Sequence, residues 1–503
     1  MIATKKIVFA TLFFGAALLA TEPNQETRRW WSHVQALAND GMEGRDTGSE
    51  GYRKAASYVV RQFEQNGLKP AGEQGYAQTV PLHVIRLRSD RSTAALIRGE
   101  RSKNLQWLRQ ISVQPNTAVP RSIDAELVFA GSKDYTTAVD VRGKIVVQMN
   151  PARIEGGQTA VLSSAPSGAI GLLGIDSPDG LEPPRWPVQY AVAMSIRDQN
   201  AATPSGLTLR FNPADAEMLF EGTGHTYKDL LSLYRQGRPL PSFPLAVRLR
   251  ATLAIENEDI QSDNLIAIRP GSDPPLAGEY VIVSAHLDGY GLGEPWDGDH
   301  IYNGAFDDAA YVATLIETAE RLQQSNTKLR RSVVFAVFTG EEKGLLGSRY
   351  FTQHLTVPRN QVVANVNLDQ VRPLFPLRRL TMIARDDSTL GDVVRRLAEP
   401  MGIQVLSDQE PWRNLMRRAD NWNFMQIGVP ATGFVLTPEK GTADEAIYKE
   451  WYARRYHTPL DDLKQPWDPS AAAKFNDFFL RLVEAIANAD ERPQWKSGSP
   501  YAK

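Results

Sequence analysis

The chain has 503 residues, of which 42% are apolar and 23% charged, and its formal net charge is −2. That length calls for two or three structural units, and the composition is that of a soluble globular protein without a disordered tail. It excludes a basic field for nucleic acid or anionic lipid. The absence of cysteine excludes thiolate zinc, cysteine nucleophiles, disulfides and lipid attachment at Cys.

The first element is apolar. Lys5 and Lys6 precede IVFATLFFGAALLA, residues 7–20, a run of 14 residues. That suits a signal-peptide core and is short for a membrane span. With Ala20 as the small residue before the cut, residues 1–20 are expected to be a signal peptide. The protein would then be exported, periplasmic or secreted from a bacterium, and free of the membrane after cleavage; an uncleaved anchor is the alternative. In EGYRKAASYVVRQFEQNGLKP (50–70), Tyr52, Ala56, Val59, Val60 and Phe63 share a helical face, and Gly67 and Pro70 end it.

From about 120 to 250 the texture becomes short β-rich runs, AELVFAG (125–131), GKIVVQMN (143–150) and SGAIGLLGI (167–175), separated by polar and Pro-containing loops. The C-terminal half alternates. EYVIVSAH (279–286), SVVFAVFT (332–339), VVANVNLD (362–369) and PATGFVL (430–436) read as strands. The stretch from Asp308 and GLLGSRYFTQHL (344–355) read as helices. Continuous apolar strands alternating with helices predict an α/β fold whose mostly parallel central sheet is sandwiched by helices.

Open α/β sheets carry their sites beyond the carboxyl ends of the strands. The first of these strands releases His286 and Asp288, the second Glu341 and Glu342, and the third Asp369. Asp307 and Asp308 stand at the mouth of the intervening helix, and His457 lies in RRYHTPLDD (454–462). Taken singly, Asp307 or Asp308 could cap a helix and His457 could be a surface residue. Together they have the nitrogen and carboxylate chemistry of a catalytic zinc site. His33, His83, His225, His300 and His354 have no such context and are expected to be structural.

SAHLDGYG, IYNGAFDDAAYVATLIE, TGEEKGLLGSRYF, NLDQ and RYHTPLDDLKQPWD follow the order and spacing of the dinuclear zinc exopeptidases of metallopeptidase family 28. The resemblance to this family, which includes leucyl aminopeptidase and glutamate carboxypeptidase relatives, extends to MEGRDTG (42–48), NLIAIRPGSD (264–273) and RADNWNFMQIGVPA (418–431). The β-rich run resembles an inserted protease-associated domain. The implied division is 1–20 signal peptide, 21–119 first part of the peptidase domain, 120–250 insert, and 251–503 catalytic domain.

The resemblance implies two zinc ions. His286 and Asp369 would be terminal ligands of one, Glu342 and His457 of the other, and Asp307 would bridge them. Asp308-Ala309-Ala310-Tyr311 departs from the family's Asn-Ala-Ser-Gly. Asp288, two residues beyond His286, is expected to accept that ring's other N–H. Glu341 would be the general base of a hydroxide bridging both zincs, and Tyr456 an oxyanion donor. Arg418, Asp420 and Asn421 would form the substrate wall, where Ala419-Asp420-Asn421 replaces Ser-Asp-His. The implied function is a zinc exopeptidase acting on peptides, foremost an aminopeptidase. The alternatives are a glutamate-type carboxypeptidase, a glutaminyl cyclase and an inactive receptor-like homologue.

Overall fold

A computed structural model describes residues 23–131, 139–151, 165–199 and 206–502; the apolar run 7–20 lies outside them. Two eight-stranded sheets each have their own core. One sheet runs in the order Ala431–Thr432, Val362–Asn367, Tyr280–His286, Ser332–Phe338, Ile255–Arg269, Ala77–Leu87, Val192–Ile196, with Lys69–Pro70 paired to Ile255–Arg269. Its first four strands are parallel, and the remaining pairings are antiparallel.

The sheet is therefore mixed, not mostly parallel, and the reason lies in the strands. Ser332–Phe338 and Val362–Asn367 are buried at every residue, as a strand covered on both faces must be. Ala77–Leu87 alternates buried and half-buried positions, the pattern of a strand with one open face. Its partner contains IENEDIQSDN, whose charges hide it as a strand. The PATGFVL run is also divided. Ala431–Thr432 joins this sheet, whereas Phe434–Leu436 joins a three-stranded sheet with Arg379–Met382 and Gln404–Leu406.

Helices Gln25–Ala38, Glu50–Gln65, Ala310–Gln324 and Pro469–Asn488 form one packed layer, and Leu346–Gln353 with Asn421–Gln426 forms another. Ser49 caps Glu50–Gln65 by accepting the Tyr52 N–H. That helix buries Tyr52, Ala55, Val59 and Phe63; Ala56 and Val60 sit at the margin of the buried face. Among the described residues no helix is long and apolar enough to cross a membrane.

The second sheet runs from Thr93 to Thr252, so it begins well before residue 120. Its early strands are poorly covered: TAALIR is only partly buried and RSKNL carries Arg101 and Lys103 on exposed positions, so they do not read as core strands. Val192–Ile196, inside the same stretch, pairs with the first sheet instead.

On Ala310–Gln324, Glu317 is 2% exposed and accepts a hydrogen bond from Asn476 Nδ2 at 2.6 Å. Burial pushes its carboxyl from 4.5 up to about 7. The folded chain thus keeps a proton that the unfolded chain releases between these values, so stability is full below about pH 4.5 and falls as pH rises to about 7. Glu317→Gln is expected to stabilise the protein by about 1–3 kcal/mol at pH 8 and by almost nothing at pH 4. Thermal melts at the two pH values check this.

Candidate functional site

Tyr280–His286, flanked by Ser332–Phe338 and Val362–Asn367, puts three strand ends side by side, with His286 in register with Phe338. Gly340 then turns the chain with φ +66°, which releases Glu341 and Glu342 at the strand end. Asp369 leaves the neighbouring strand two residues beyond Asn367. The turn Ala305–Ala309 supplies Asp307 and Asp308, and the regular helix starts only at Ala310. Asp461 fixes this turn by accepting the N–H groups of Phe306 and Asp307 at 2.9 and 3.0 Å.

These residues meet. His286 Nε2 lies 3.5 Å from Asp307 Oδ1 and 3.9 Å from Glu341 Oε2. His457 Nε2 lies 3.2 Å from Asp307 Oδ2 and 3.6 Å from Glu342 Oε2. The two oxygens of Asp307 therefore face two different histidines. Three overlapping sets bring ligand atoms within 4.8 Å of one another: His286–Asp307–Asp308–Asp369, His286–Glu341–Glu342, and Asp307–Glu342–His457. None of the other five histidines belongs to a set among the described residues.

Asp288 meets the His286 ring as expected, but through its main chain. Its main-chain carbonyl, not its carboxylate, pairs with His286 Nδ1 at 2.9 Å; the carboxylate Oδ1 is 3.8 Å away. A carbonyl only accepts, so Nδ1 carries the proton and Nε2 offers its lone pair to the site. The Asp288 carboxylate instead accepts the main-chain N–H groups of Glu341 and Glu342 at 3.0 and 3.3 Å and the Thr47 hydroxyl at 3.0 Å. It sets the direction of both glutamates. The MEGRDTG motif finds its purpose here too: Arg45, fully buried, donates to the carbonyls of Leu287, Asn303 and Gly304 and so ties a strand end to the Asp307 turn.

The electrostatics call for added positive charge. Burial, then the carboxylates of Asp369, Glu342 and Asp420, pushes Glu341 well above the usual range, although His286 opposes this. Burial likewise raises Asp308 and Asp369. Burial opposes ionisation of Asp307 as well, but Arg372 and the two histidines outweigh it and hold this carboxyl low. Arg372, 2% exposed, sits 3.2 Å from Asp307 Oδ2 and 3.8 Å from Asp369 Oδ1. Buried oxygens Asp307 Oδ2, Asp308 Oδ1 and Glu342 Oε1 lack hydrogen-bond partners. Clustered carboxylate oxygens beside two imidazole nitrogens form the donor set of a divalent cation such as zinc.

Asp307, Glu341, Glu342, Asp369 and His457 floor a cavity of about 260 Å³, walled by Gly344, Leu345, Gln370, Arg417, Arg418 and Tyr456. The Tyr456 ring stacks on His457 at 3.6 Å, and its hydroxyl accepts from Arg418 Nη2 at 3.2 Å. Burial raises the Tyr456 hydroxyl well above its ordinary value, so it stays a proton donor. Arg418 lines the cavity as expected of a wall residue, but Asp420 and Asn421 do not. They are 0% and 1% exposed; Asp420 pairs with the Ser348 hydroxyl and Asn421 Nδ2 donates to the Met416 carbonyl. Both brace the wall from behind, because the Asn421–Gln426 helix packs inward on Leu346–Gln353.

Sequence reading missed several participants. Tyr290, whose hydroxyl meets His457 Nδ1 at 2.9 Å, stands within the quoted SAHLDGYG, and Arg372 follows Asp369 by three residues. Glu182, Arg185 and Gln189 come from the stretch expected to be the insert and carry no local signal. Arg185 donates to the carbonyls of Tyr452, Ala453 (2.6 Å) and Tyr456 (2.9 Å), and Gln189 donates to that of His457 at 3.0 Å. This clamp holds the His457 loop, where His457 itself has φ +57°.

Fold and site define an α/β protein with a histidine–carboxylate cluster, able to hold a metal ion, beyond the carboxyl ends of parallel strands. Its architecture is similar to that of solved aminopeptidases. One is the aminopeptidase from Aneurinibacillus sp. strain AM-1, with TM-score 0.59, 19% identity, and coverage of 93% of this chain and 95% of that one. Another is BSAP, a zinc aminopeptidase from Bacillus subtilis, with TM-score 0.58, 16% identity, and coverage of 93% and 97%. Residues 264–483 match the model of Peptidase family M28. Leupeptin-inactivating enzyme 1 of Streptomyces exfoliatus is 24% identical over 208 residues, 40% of this chain and 43% of its own length. Aminopeptidase Y of Saccharomyces cerevisiae is 24% identical over 263 residues, 50% and 44%. The chain thus spans less than half the length of these curated relatives.

Proposed function

We propose that the protein is a zinc-dependent aminopeptidase working with two zinc ions. The observation that carries this reading is the Asp307 carboxylate between His286 and His457, flanked by Asp369 on one side and Glu342 on the other. His286, Asp307 and Asp369 would hold one ion, and Asp307, Glu342 and His457 the other. When bound there, the pair supplies an acidified water and a Lewis acid for the scissile carbonyl.

The chain's own residues do the rest. Glu341, aimed by the Asp288 bond to its N–H, takes a proton at its carboxylate and passes it to the leaving amine. Tyr456 donates a hydrogen bond from its hydroxyl to the oxygen on which negative charge develops. Tyr290 and the Asp288 carbonyl hold the rings of His457 and His286 in orientation. We further propose that residues 1–20 direct export and that the second sheet is a domain of the protease-associated type.

The test is hydrolysis of N-terminal aminoacyl substrates by zinc-loaded protein, abolished by chelator and restored by zinc. A purified protein that takes up no zinc would overturn the reading. The clamp gives a separate check. Arg185→Ala frees the His457 loop and is expected to weaken zinc binding about tenfold, the low end for loss of a residue supporting a metal ligand. A competition titration with a chromophoric chelator measures it.

A further inference from the structure

The cavity wall carries more positive charge than its partners neutralise. Arg413, Arg417 and Arg418 lie together in one short stretch, against Glu182 and Glu410. Glu182 is fully engaged: one oxygen binds Arg413 and the other binds Arg418 at 2.8 Å. Burial opposes its ionisation, but the two guanidiniums hold its carboxyl down at about 2, so it is an anion at any working pH. Glu410 pairs with Arg413 at 2.6 Å. Arg418 also donates to the Tyr456 hydroxyl.

Arg417 is left over. It lines the same cavity, is exposed, and has no carboxylate partner among the described residues. Its guanidinium stacks over the Trp422 ring at 4.8 Å, which fixes the side chain without neutralising it. The floor holds four carboxylates beside His457, and these repel an anion until cations fill the site. A ligand carboxylate therefore finds its favourable place on the arginine wall, where Arg417 is the cation without a carboxylate partner among the described residues, with the scissile bond toward the floor.

We infer that Arg417 is a specificity-determining residue that selects peptides bearing a carboxylate near the scissile bond. That carboxylate is the C-terminus of a short peptide or an acidic side chain beside the cleaved residue. The inference rests on the peptidase reading and gives it a substrate class.

Two peptide pairs separate the sources: Leu-Gly-Gly against its C-terminal amide, and Leu-Glu-Gly-amide against Leu-Gln-Gly-amide. With zinc-loaded protein, kcat/KM is expected to favour the carboxylate member of at least one pair by about threefold to thirtyfold, the range between an exposed ion pair and a charged hydrogen bond. The preference should shrink as salt is raised. Arg417→Met, which keeps an apolar stem on Trp422, should bring the ratio to near one, and Arg417→Lys should restore part of it. A ratio of one in the parent protein for both pairs, or a ratio unchanged in Arg417→Met, would overturn the inference. If no peptide is cleaved, the peptidase reading falls by itself. Calorimetric binding of the same pairs to the parent and Arg417→Met proteins then decides Arg417 by the same ratio.

Discussion

Glu341→Gln is expected to lower kcat by about 10²–10⁴-fold while leaving zinc content unchanged. The side chain keeps its size, and the Asp288 bond to the main-chain N–H of residue 341 does not depend on the carboxylate. What disappears is the one floor carboxylate that belongs to neither of the two proposed three-residue ligand sets, and with it the capacity to accept a proton. KM should change far less than kcat, because a proton acceptor acts in the transition state. Steady-state kinetics with metal analysis of the same samples check both halves. Full activity in this variant would refute the assignment; activity lost together with zinc would make Glu341 a ligand instead.

Asp307→Ala has the second large effect. Each of its oxygens approaches a different histidine, at 3.5 and 3.2 Å, so one deletion damages both halves of the centre. Zinc is expected to fall from two ions per chain to one or none, with affinity for the remaining ion weaker by at least about 100-fold, the upper end seen for perturbed ligand spheres. Hydrolysis should be lost with it. Asp307→Asn keeps the volume and the main-chain bonds to Asp461, and should still fail to hold two ions. Atomic absorption on dialysed protein gives the stoichiometry, and two retained ions in Asp307→Ala would remove the bridging role.

His286, Glu341, Glu342 and Asp369 were legible because each ends or follows a strand that is buried almost throughout. Runs such as SVVFAVF announce a doubly covered strand, and the polar residue after it falls where ligands bind. The antiparallel half of the sheet was hidden for the opposite reason: a strand with an open face, such as IENEDIQSDNLIAIR, looks like a charged loop. Asp288 was placed correctly near His286, but the choice between its carbonyl and its carboxylate depends on where the strand end turns. Asp420 and Asn421 carry site-like chemistry, yet the packing of their short helix takes them behind the wall. Arg185 and Gln189 were out of reach because their partners lie about 270 residues away in sequence, a separation that local pattern cannot span.

That long-range clamp works in both directions. If bonds from the stretch between the two sheets improve the hold on a metal ligand, occupancy of the centre must strengthen those same bonds by an equal free energy. The cores of the first and second sheets then would not unfold as independent bodies. A filled centre would act as a fastener between them, and its occupancy would be felt as the thermal resistance of a sheet that contributes no ligand.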